Sequence, residues 1–423
     1  MDSTMNKEKQ EKQEKQEKEE KEEKEEKEEN EINNSLSKTR EEFQEKKSWD
    51  DYDIPLDLLR GVYAYGFEKP SPIQSRAIEP IVKGRDVIGQ SQSGCGKTGA
   101  FSISALALLN MELNTPQVII LSPTRELAIQ NANVVKALGS MMNGLKVMTL
   151  VGGSSIDEDI HTLKKNPPHI ISGCPGRVYD MFRRRCIPTQ HLKLLILDEA
   201  DEMLSTGFKE QVQSLFQHLP ETMQVALFSA TLPQSIHDIS KKIMRNPVEI
   251  FVKAESLTLE GISQFYVAVQ DDRQKYETLK DIFSFISMSQ CIIYCNTVQR
   301  VMDLYDSMTK DQFPVCCIHS NMDKTEREKA FNEFLTGKHR VLISSNVTAR
   351  GIDIQQVSVV INFDLPNCVH TYLHRIGRSG RWGRKGVSIN FITRRDMEKI
   401  REIETFYSTQ IKELTSNLDT LFT

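Results

Sequence analysis

Short apolar runs recur along most of this chain, separated by stretches with helical periodicity. Asp86-Val-Ile-Gly89, Val118-Ile-Ile-Leu-Ser122, Ile170-Ile-Ser172, Leu194-Leu-Ile-Leu-Asp198 and Val225-Ala-Leu-Phe-Ser229 have the length and branching of buried strands. Gly99–Leu109, Arg125–Leu138 and Gly207–His218 read as the helices between them. Alternation of this kind predicts crossover units and a parallel sheet. The pattern pauses over the charged stretch Lys253–Gly261. It resumes with Phe265-Tyr-Val-Ala-Val269, Cys291-Ile-Ile-Tyr-Cys295, Val315-Cys-Cys-Ile318, Arg340-Val-Leu-Ile-Ser344, Val357-Ser-Val-Val-Ile-Asn362 and Val387-Ser-Ile-Asn-Phe391. The expected class is α/β, with two doubly wound parallel-sheet lobes in tandem. We place the first lobe at 47–252, a linker at 253–261 and the second lobe at 262–423, of which Lys412–Thr423 is a short tail. The cleft between such lobes is the natural ligand site.

Residues 1–46 depart from this pattern. They are Glu, Lys and Gln in a three-residue repeat with almost nothing apolar to bury, so a disordered charged tail is expected. Pairs such as Glu17–Lys21, Glu20–Lys24 and Glu23–Lys27 have the orientation that favours a solvated helix, which such a tail can populate in part. A net charge of -5 over 423 residues argues against coating nucleic acid by charge alone, so any RNA must be held in a local groove. The eight cysteines lack paired framework spacing, and several lie in strand-like runs, as buried reduced thiols of a cytoplasmic or nuclear protein would. No apolar run approaches bilayer length, so neither secretion nor membrane insertion is expected.

Candidate chemistry begins at Ser91-Gln-Ser-Gly-Cys-Gly-Lys-Thr98, which follows a strand and opens a helix. That context suits a phosphate loop. Backbone N–H groups around Ser93, Gly94, Cys95 and Gly96 would cradle phosphate oxygens where the helix dipole favours anions. Lys97 would reach the β- and γ-phosphates of ATP, and Thr98 would join the Mg2+ shell. Asp198 and Glu199 end an apolar strand, where α/β folds bind ligands. Asp198 suits magnesium, through water, and Glu199 suits orienting and deprotonating an attacking water. Two acids capping a helix would explain an isolated pair, but not the phosphate loop about a hundred residues earlier. Arg375, Arg378 and Arg381 punctuate a glycine-rich stretch of the second lobe. Guanidinium groups there suit a developing phosphate charge, and hydrolysis would then require the lobes to close.

From Trp49 to the end the chain resembles the DEAD-box RNA helicases, whose lobes are RecA-like. The likeness rests on the phosphate loop, Asp198-Glu-Ala-Asp201, Ser229-Ala-Thr231 and His374-Arg-Ile-Gly-Arg-Ser-Gly-Arg381. Tyr65–Gln74 resembles the family's adenine-reading element, which implies Gln74 on the base edge and Phe67 stacked on it. Pro123-Thr-Arg-Glu-Leu-Ala128, Gly152-Gly153 and Pro175-Gly-Arg177 match RNA-backbone motifs, implying contacts from Thr124, Arg125, Gly153 and Arg177, with Ser345 in the second lobe. The resemblance further implies that Asp353 binds the ribose and that Arg378 and Arg381 are the arginine fingers. Asp201, Ser229, Thr231 and His374 would couple nucleotide state to closure. Leu58–Tyr65, Leu257–Ile262 and Ile403–Ile411 resemble the translation-initiation branch. Cys295-Asn-Thr297, Arg378–Arg381 and Ser408–Ile411 lean toward its exon-junction and nucleolar paralogue.

Several positions depart from the family pattern. Ser91 stands at the loop's usual first Gly or Ala, and Cys95 and Cys174 stand for Thr. His-Gly-Asp becomes His319-Ser-Asn321, and Ser-Thr-Asp becomes Ser344-Ser-Asn346. Ser91 and Cys95 are both small, so the phosphate loop can still form; the changes at Cys174, Asn321 and Asn346 bear on RNA affinity and lobe coupling more than on the nucleotide. The expected function is an RNA-dependent ATPase that locally separates short duplexes or remodels ribonucleoprotein, acting in translation initiation or RNA processing. It would bind ATP and Mg2+, grip RNA by its backbone without sequence preference, and work as a monomer with protein partners. The alternative is an ATP-dependent RNA clamp that turns over slowly inside a partner complex. A DNA helicase ranks behind both, since nothing here resembles a translocating helicase's extra domains.

Overall fold

Val, Ile and Leu fill four- and five-residue runs that are buried on both faces, as strands inside a parallel sheet must be. The computed structural model describes residues 45–91, 94–205, 208–232, 234–251, 262–285, 290–348, 357–379 and 386–414. The expected tail up to residue 44, the linker, Ser93, Asp353 and Arg381 lie outside the described residues. In the first lobe β1 (Val87–Gln90), β2 (Val118–Leu121), β3 (Val147–Leu150), β4 (Ile170–Gly173), β5 (Leu194–Asp198), β6 (Gln224–Ser229) and β7 (Val248–Phe251) form one sheet. Its order is β3-β4-β2-β5-β6-β1-β7, parallel at each pairing. The second lobe repeats the plan with β8 (Ile262–Ala268), β9 (Cys291–Tyr294), β10 (Val315–Ile318), β11 (Val341–Ser344), β12 (Val359–Asn362), β13 (Gly386–Ile392) and β14 (Lys412–Glu413). The order there is β10-β11-β9-β12-β13-β8-β14.

Side-chain alternation divides each strand between two cores. Leu194 and Ile196 face one side of the first sheet with Val118 and Ile120, while Leu195 and Leu197 face the other with Ile119 and Leu121. In the second sheet Cys291 and Ile293 oppose Ile292 and Tyr294 in the same way. All eight cysteines are free thiols; Cys291, Cys295 and Cys316 are buried, and burial pushes the Cys316 thiol up to about 12. No helix among the described residues is long and apolar enough to cross a membrane.

The expected strands are present, some displaced by one to three residues; the helix Arg125–Leu138 has the expected bounds, while those expected at Gly99–Leu109 and Gly207–His218 run Lys97–Ala107 and Lys209–Phe216. Three strands were not anticipated. β3 and β7 are edge strands with half-exposed positions, so their apolar signal is diluted. β14 begins what the sequence suggests is a tail, and it pairs with β8. Glu45 and Lys46, assigned to the opposite tail, already contact the first lobe through Arg76 (2.6 Å) and Glu79 (3.8 Å).

Asp364, just past β12, holds the second lobe together at its carboxyl edge. Its carboxylate accepts two hydrogen bonds from Arg300 (2.6 Å each), one from the Asn296 amide (3.1 Å) and one from Lys275 (3.2 Å). Burial alone would raise its pKa, but these donors more than offset that and hold it below the ordinary value. A lowered carboxylate pKa contributes stability above the unfolded value near 4 and loses it as pH falls through the native value. Asp364→Asn should therefore cost about 2–3 kcal/mol at pH 7, Arg300 being partly exposed, and progressively less below about pH 4. Chemical denaturation of both proteins between pH 7 and pH 2.5 checks this.

Candidate functional site

The strand order sorts the motifs along the carboxyl edge of the first sheet. β1, β5 and β6 are adjacent and deliver the phosphate loop, Asp198–Asp201 and Ser229–Thr231. β3, β4 and β2 lie beside them and deliver Gly152-Gly153, Cys174–Arg177 and Thr124–Arg125. One edge thus gathers the residues expected at a nucleotide on one half and those expected at RNA on the other.

The phosphate loop closes at Gly96, whose φ of +98° caps the helix Lys97–Ala107. Its surroundings are tight. The Ser71 hydroxyl donates to the Cys95 carbonyl (2.8 Å), and Gln74 Nε2 donates to the Gly96 carbonyl (3.2 Å). Gln74 Oε1 accepts from the Ser71 amide (2.8 Å), so this side chain ties its own helix start to the loop. Phe67 stacks on the buried Trp49 at 6.1 Å and meets Tyr65 edge-on at 4.9 Å. Lys97 donates to the Ser91 carbonyl (2.7 Å) and lies 3.9 Å from Glu199. Thr98 follows it at the helix start, without a hydrogen bond to Asp198 among the described residues.

Asp198 and Glu199 are both buried. Burial and the neighbouring Glu199 carboxylate hold Asp198 well above the usual carboxylate range, with Lys97 and the Asn131 amide opposing them. Glu199 has φ +52°, a left-handed backbone that costs a non-glycine residue about 1–2 kcal/mol. Two buried carboxylates beside a single ammonium are short of positive charge, so this donor set fits a divalent cation and phosphate-bound Mg2+ in particular.

Asp201 joins the lobes. Its Oδ2 accepts from the Thr231 hydroxyl (2.7 Å) and lies 3.2 Å from His374 Nε2 of the second lobe, while the Ser229 hydroxyl accepts from the Asp201 amide (3.3 Å). All four expected coupling residues therefore meet at one point. The ligand atoms of Glu199, Asp201 and His374 lie within 4.8 Å of one another, and Asp201 already uses its own in hydrogen bonds. Arg378 is buried next to them and donates to the His374 carbonyl (3.2 Å).

On the other half, Thr124 caps the helix Arg125–Leu138 by accepting from the Leu127 amide (3.3 Å). The Arg125 guanidinium packs against Gly152, and a Cβ there would come within 3.3 Å of it. Gly153 has φ +88°. Arg177 is committed to its own lobe, bonding the Asp159 carboxylate and both oxygens of Ser154. Cys174 caps the helix Pro175–Arg183 without a side-chain bond, and burial pushes its thiol up to about 12. Ser345 is buried just past β11.

Sequence reasoning missed three things: the Arg327 crossing with the cavity beside it, the inward turn of Arg375, and Asn131. Arg327 of the second lobe pairs with Glu126 across the cleft (2.9 Å), 201 positions away, which no local pattern signals. Beside that pair a cavity of 610 Å³ lies between the helices Arg125–Leu138 and Lys324–Leu335. Arg375, grouped above with the phosphate-binding arginines, is fully buried in its own lobe. Its five N–H groups go to Asn346, Asn362, Asn296 and the Asp364 carbonyl, and burial pushes it down to about 10. Asn346, where the family pattern has Asp, is thus an acceptor for a buried arginine. The third is Asn131, whose position in the apolar stripe of Leu127, Ala128, Val135 and Leu138 was a visible signal.

Comparisons with known proteins agree with this geometry. The DEAD/DEAH box helicase model matches residues 71–239 and the helicase conserved C-terminal domain model matches 274–383. The chain is 52% identical over 375 residues to the ATP-dependent RNA helicase eIF4A of Candida glabrata, covering 89% of this chain and 94% of that protein. Among solved structures, S. cerevisiae Dbp5 bound to RNA and ADP BeF3 superposes with a TM-score of 0.82 at 33% identity, over 89% of this chain and 97% of that one. A Dbp5 variant bound to Gle1 and IP6 gives 0.73 at 34% identity, over 89% and 96%.

Gly99, one turn into the phosphate-loop helix, tests how closely this half is packed. A Cβ there would sit 2.4 Å from Gln74 Nε2 and 2.9 Å from the Phe67 ring, so both must shift. Alanine is otherwise favoured in a helix interior. Gly99→Ala should weaken ATP binding about tenfold, a loss of about 1.4 kcal/mol, while the melting temperature changes little. Fluorescent-nucleotide titration beside a thermal melt measures both.

Proposed function

The chain belongs to the DEAD/DEAH box helicase family and is an ATP-dependent RNA helicase; from that premise we propose how its own residues divide the work. The observation that carries the reading is the meeting of Asp201, Thr231 and His374 across the two lobes, next to Lys97 and Glu199. Phe67 and Gln74 would read adenine, and Gly94, Cys95, Gly96 and Lys97 would hold the phosphates. Thr98 and Asp198 would hold Mg2+, which neutralises charge on the phosphate oxygens. Glu199 would orient and deprotonate the attacking water, and Arg378 would approach the γ-phosphate as the lobes close. Ser93, Asp353 and Arg381 complete the proposed nucleotide set on family grounds.

Thr124, Arg125, Gly153 and Ser345 would grip the RNA backbone, with Arg177 holding the turn that presents Gly153. Contacts to phosphate and 2′-hydroxyl groups carry no base identity, so recognition would be sequence-indifferent. The higher superposition score with the RNA- and nucleotide-bound relative supports reading this arrangement as the closed, ligand-competent form. Likeness to a fungal eIF4A supports a part in translation initiation in the cytoplasm, and Dbp5 bound to Gle1 offers precedent for a bound protein partner. The two lobes are taken as 47–252 and 262–423.

Steady-state ATP hydrolysis with and without single-stranded RNA tests this, with Lys97→Ala as the blank. RNA should stimulate turnover at least tenfold, and Glu199→Gln should lower kcat by about 100-fold or more while ATP still binds. RNA-independent turnover would sink the helicase reading. Flat turnover with ATP bound would favour the slow clamp.

A further inference from the structure

Asn131 lies fully buried in the middle of the helix Arg125–Leu138, on a stripe otherwise made of Leu127, Ala128, Ala132, Val135 and Leu138. A buried amide among apolar neighbours costs free energy unless its polar atoms find partners. Its Nδ2 donates to the Asp198 carboxylate (2.8 Å) and to the Ser122 hydroxyl (3.1 Å), while its Oδ1 has no partner among the described residues. Only the NH2 end of an amide can face a carboxylate, so the chemistry fixes this orientation. An apolar residue would fill the same place without leaving an orphan acceptor. The site is built for its bond to Asp198.

The helix that carries Asn131 is the one that meets the RNA side and the opposite lobe. Thr124 and Arg125 stand at its start, and Glu126 reaches across the cleft to Arg327. Asn131 follows about one and a half turns later, at the nucleotide carboxylates. A short helix moves as a rigid body, so a shift of its first turn on RNA or on closure is passed to the Asp198 hydrogen bond. Among the described residues no other side-chain hydrogen bond reaches Asp198.

We propose that Asn131 is a positioning residue that links the RNA-side helix to Asp198 and so carries part of the coupling between RNA and nucleotide binding. This rests on the functional reading above, in which both ligands bind and Asp198 serves the nucleotide. By donating to Asp198 the amide holds its carboxylate in place beside Glu199, and the carboxylate in turn favours one position of the helix. Coupling of this kind is reciprocal: nucleotide should tighten RNA binding by the same factor that RNA tightens nucleotide binding.

The test measures the Kd of the full-length protein for fluorescent single-stranded RNA, with and without a non-hydrolysable ATP analogue and Mg2+. It is run on wild type, Asn131→Leu, Asn131→Ala and Ser122→Ala, with a thermal melt of each. Asn131→Leu keeps the helix stripe apolar, and Asn131→Ala serves if leucine does not fit. Ser122→Ala removes the other partner of the same amide and leaves the Asp198 bond intact. The expected result is that both Asn131 variants bind RNA without nucleotide within about twofold of wild type but lose at least fivefold of the nucleotide-induced tightening. Ser122→Ala should keep it. Undiminished tightening in the Asn131 variants, or an equal loss in Ser122→Ala, overturns the proposal. If wild type itself shows no tightening, it is the underlying RNA–ATP reading that fails, a distinguishable outcome.

Discussion

The contact between Asp201 and His374 is where the two lobes become one machine. Each lobe has its own sheet and its own cores, and each would be an ordinary α/β unit by itself. Only when His374 of the second lobe comes to 3.2 Å from Asp201 do the phosphate-loop lysine, the buried carboxylates and Arg378 share one neighbourhood. The second crossing, Glu126 to Arg327, sits on the other half of the same edge. Both crossings are short polar contacts between buried or half-buried groups, whose strength depends on exclusion of water. An opened cleft would lose them together.

The parallel sheet makes this possible. Its strands all end on one edge, so loops far apart in sequence become neighbours there. Strand order then decides which loops are adjacent: β5, β6 and β1 gather one chemistry, and β3, β4 and β2 gather the other. In each lobe an asparagine ties the two halves. Asn131 links the helix Arg125–Leu138 to Asp198, and Asn346 links the turn after Ser345 to Arg375, on the helix that carries His374. A neutral amide suits both places. It can serve a buried charge without adding another charge to the interior.

The departures from the family pattern take on physical meaning in this setting. Asn346 satisfies Arg375 by dipoles, helped by Asn296, Asn362 and the face of Tyr294 at 5.2 Å. The buried guanidinium keeps all five donors occupied while lacking a carboxylate among those hydrogen-bond partners. Cys174 keeps the bulk of the cap before Pro175 but makes no capping bond. Asn321 is exposed, and among the described residues its side chain accepts only from the Ser320 hydroxyl (3.2 Å).

What the sequence determined by itself was everything written in local periodicity and spacing. Buried strands, the phosphate loop after β1 and the acids ending β5 follow from short-range chemistry, and they were legible to within about three residues. Edge strands β3, β7 and β14 were not, because exposure dilutes the apolar signal that marks a strand. The family motifs told which residues should meet, but not how. Only the tertiary structure decided that Arg375 turns into its own lobe while His374, one residue earlier, crosses to Asp201. It also decided that Arg177 is consumed by Asp159 and that Arg327 finds Glu126. Such choices are made by packing between elements remote in the chain, where a rotation of a single helix position sends neighbouring side chains to opposite partners.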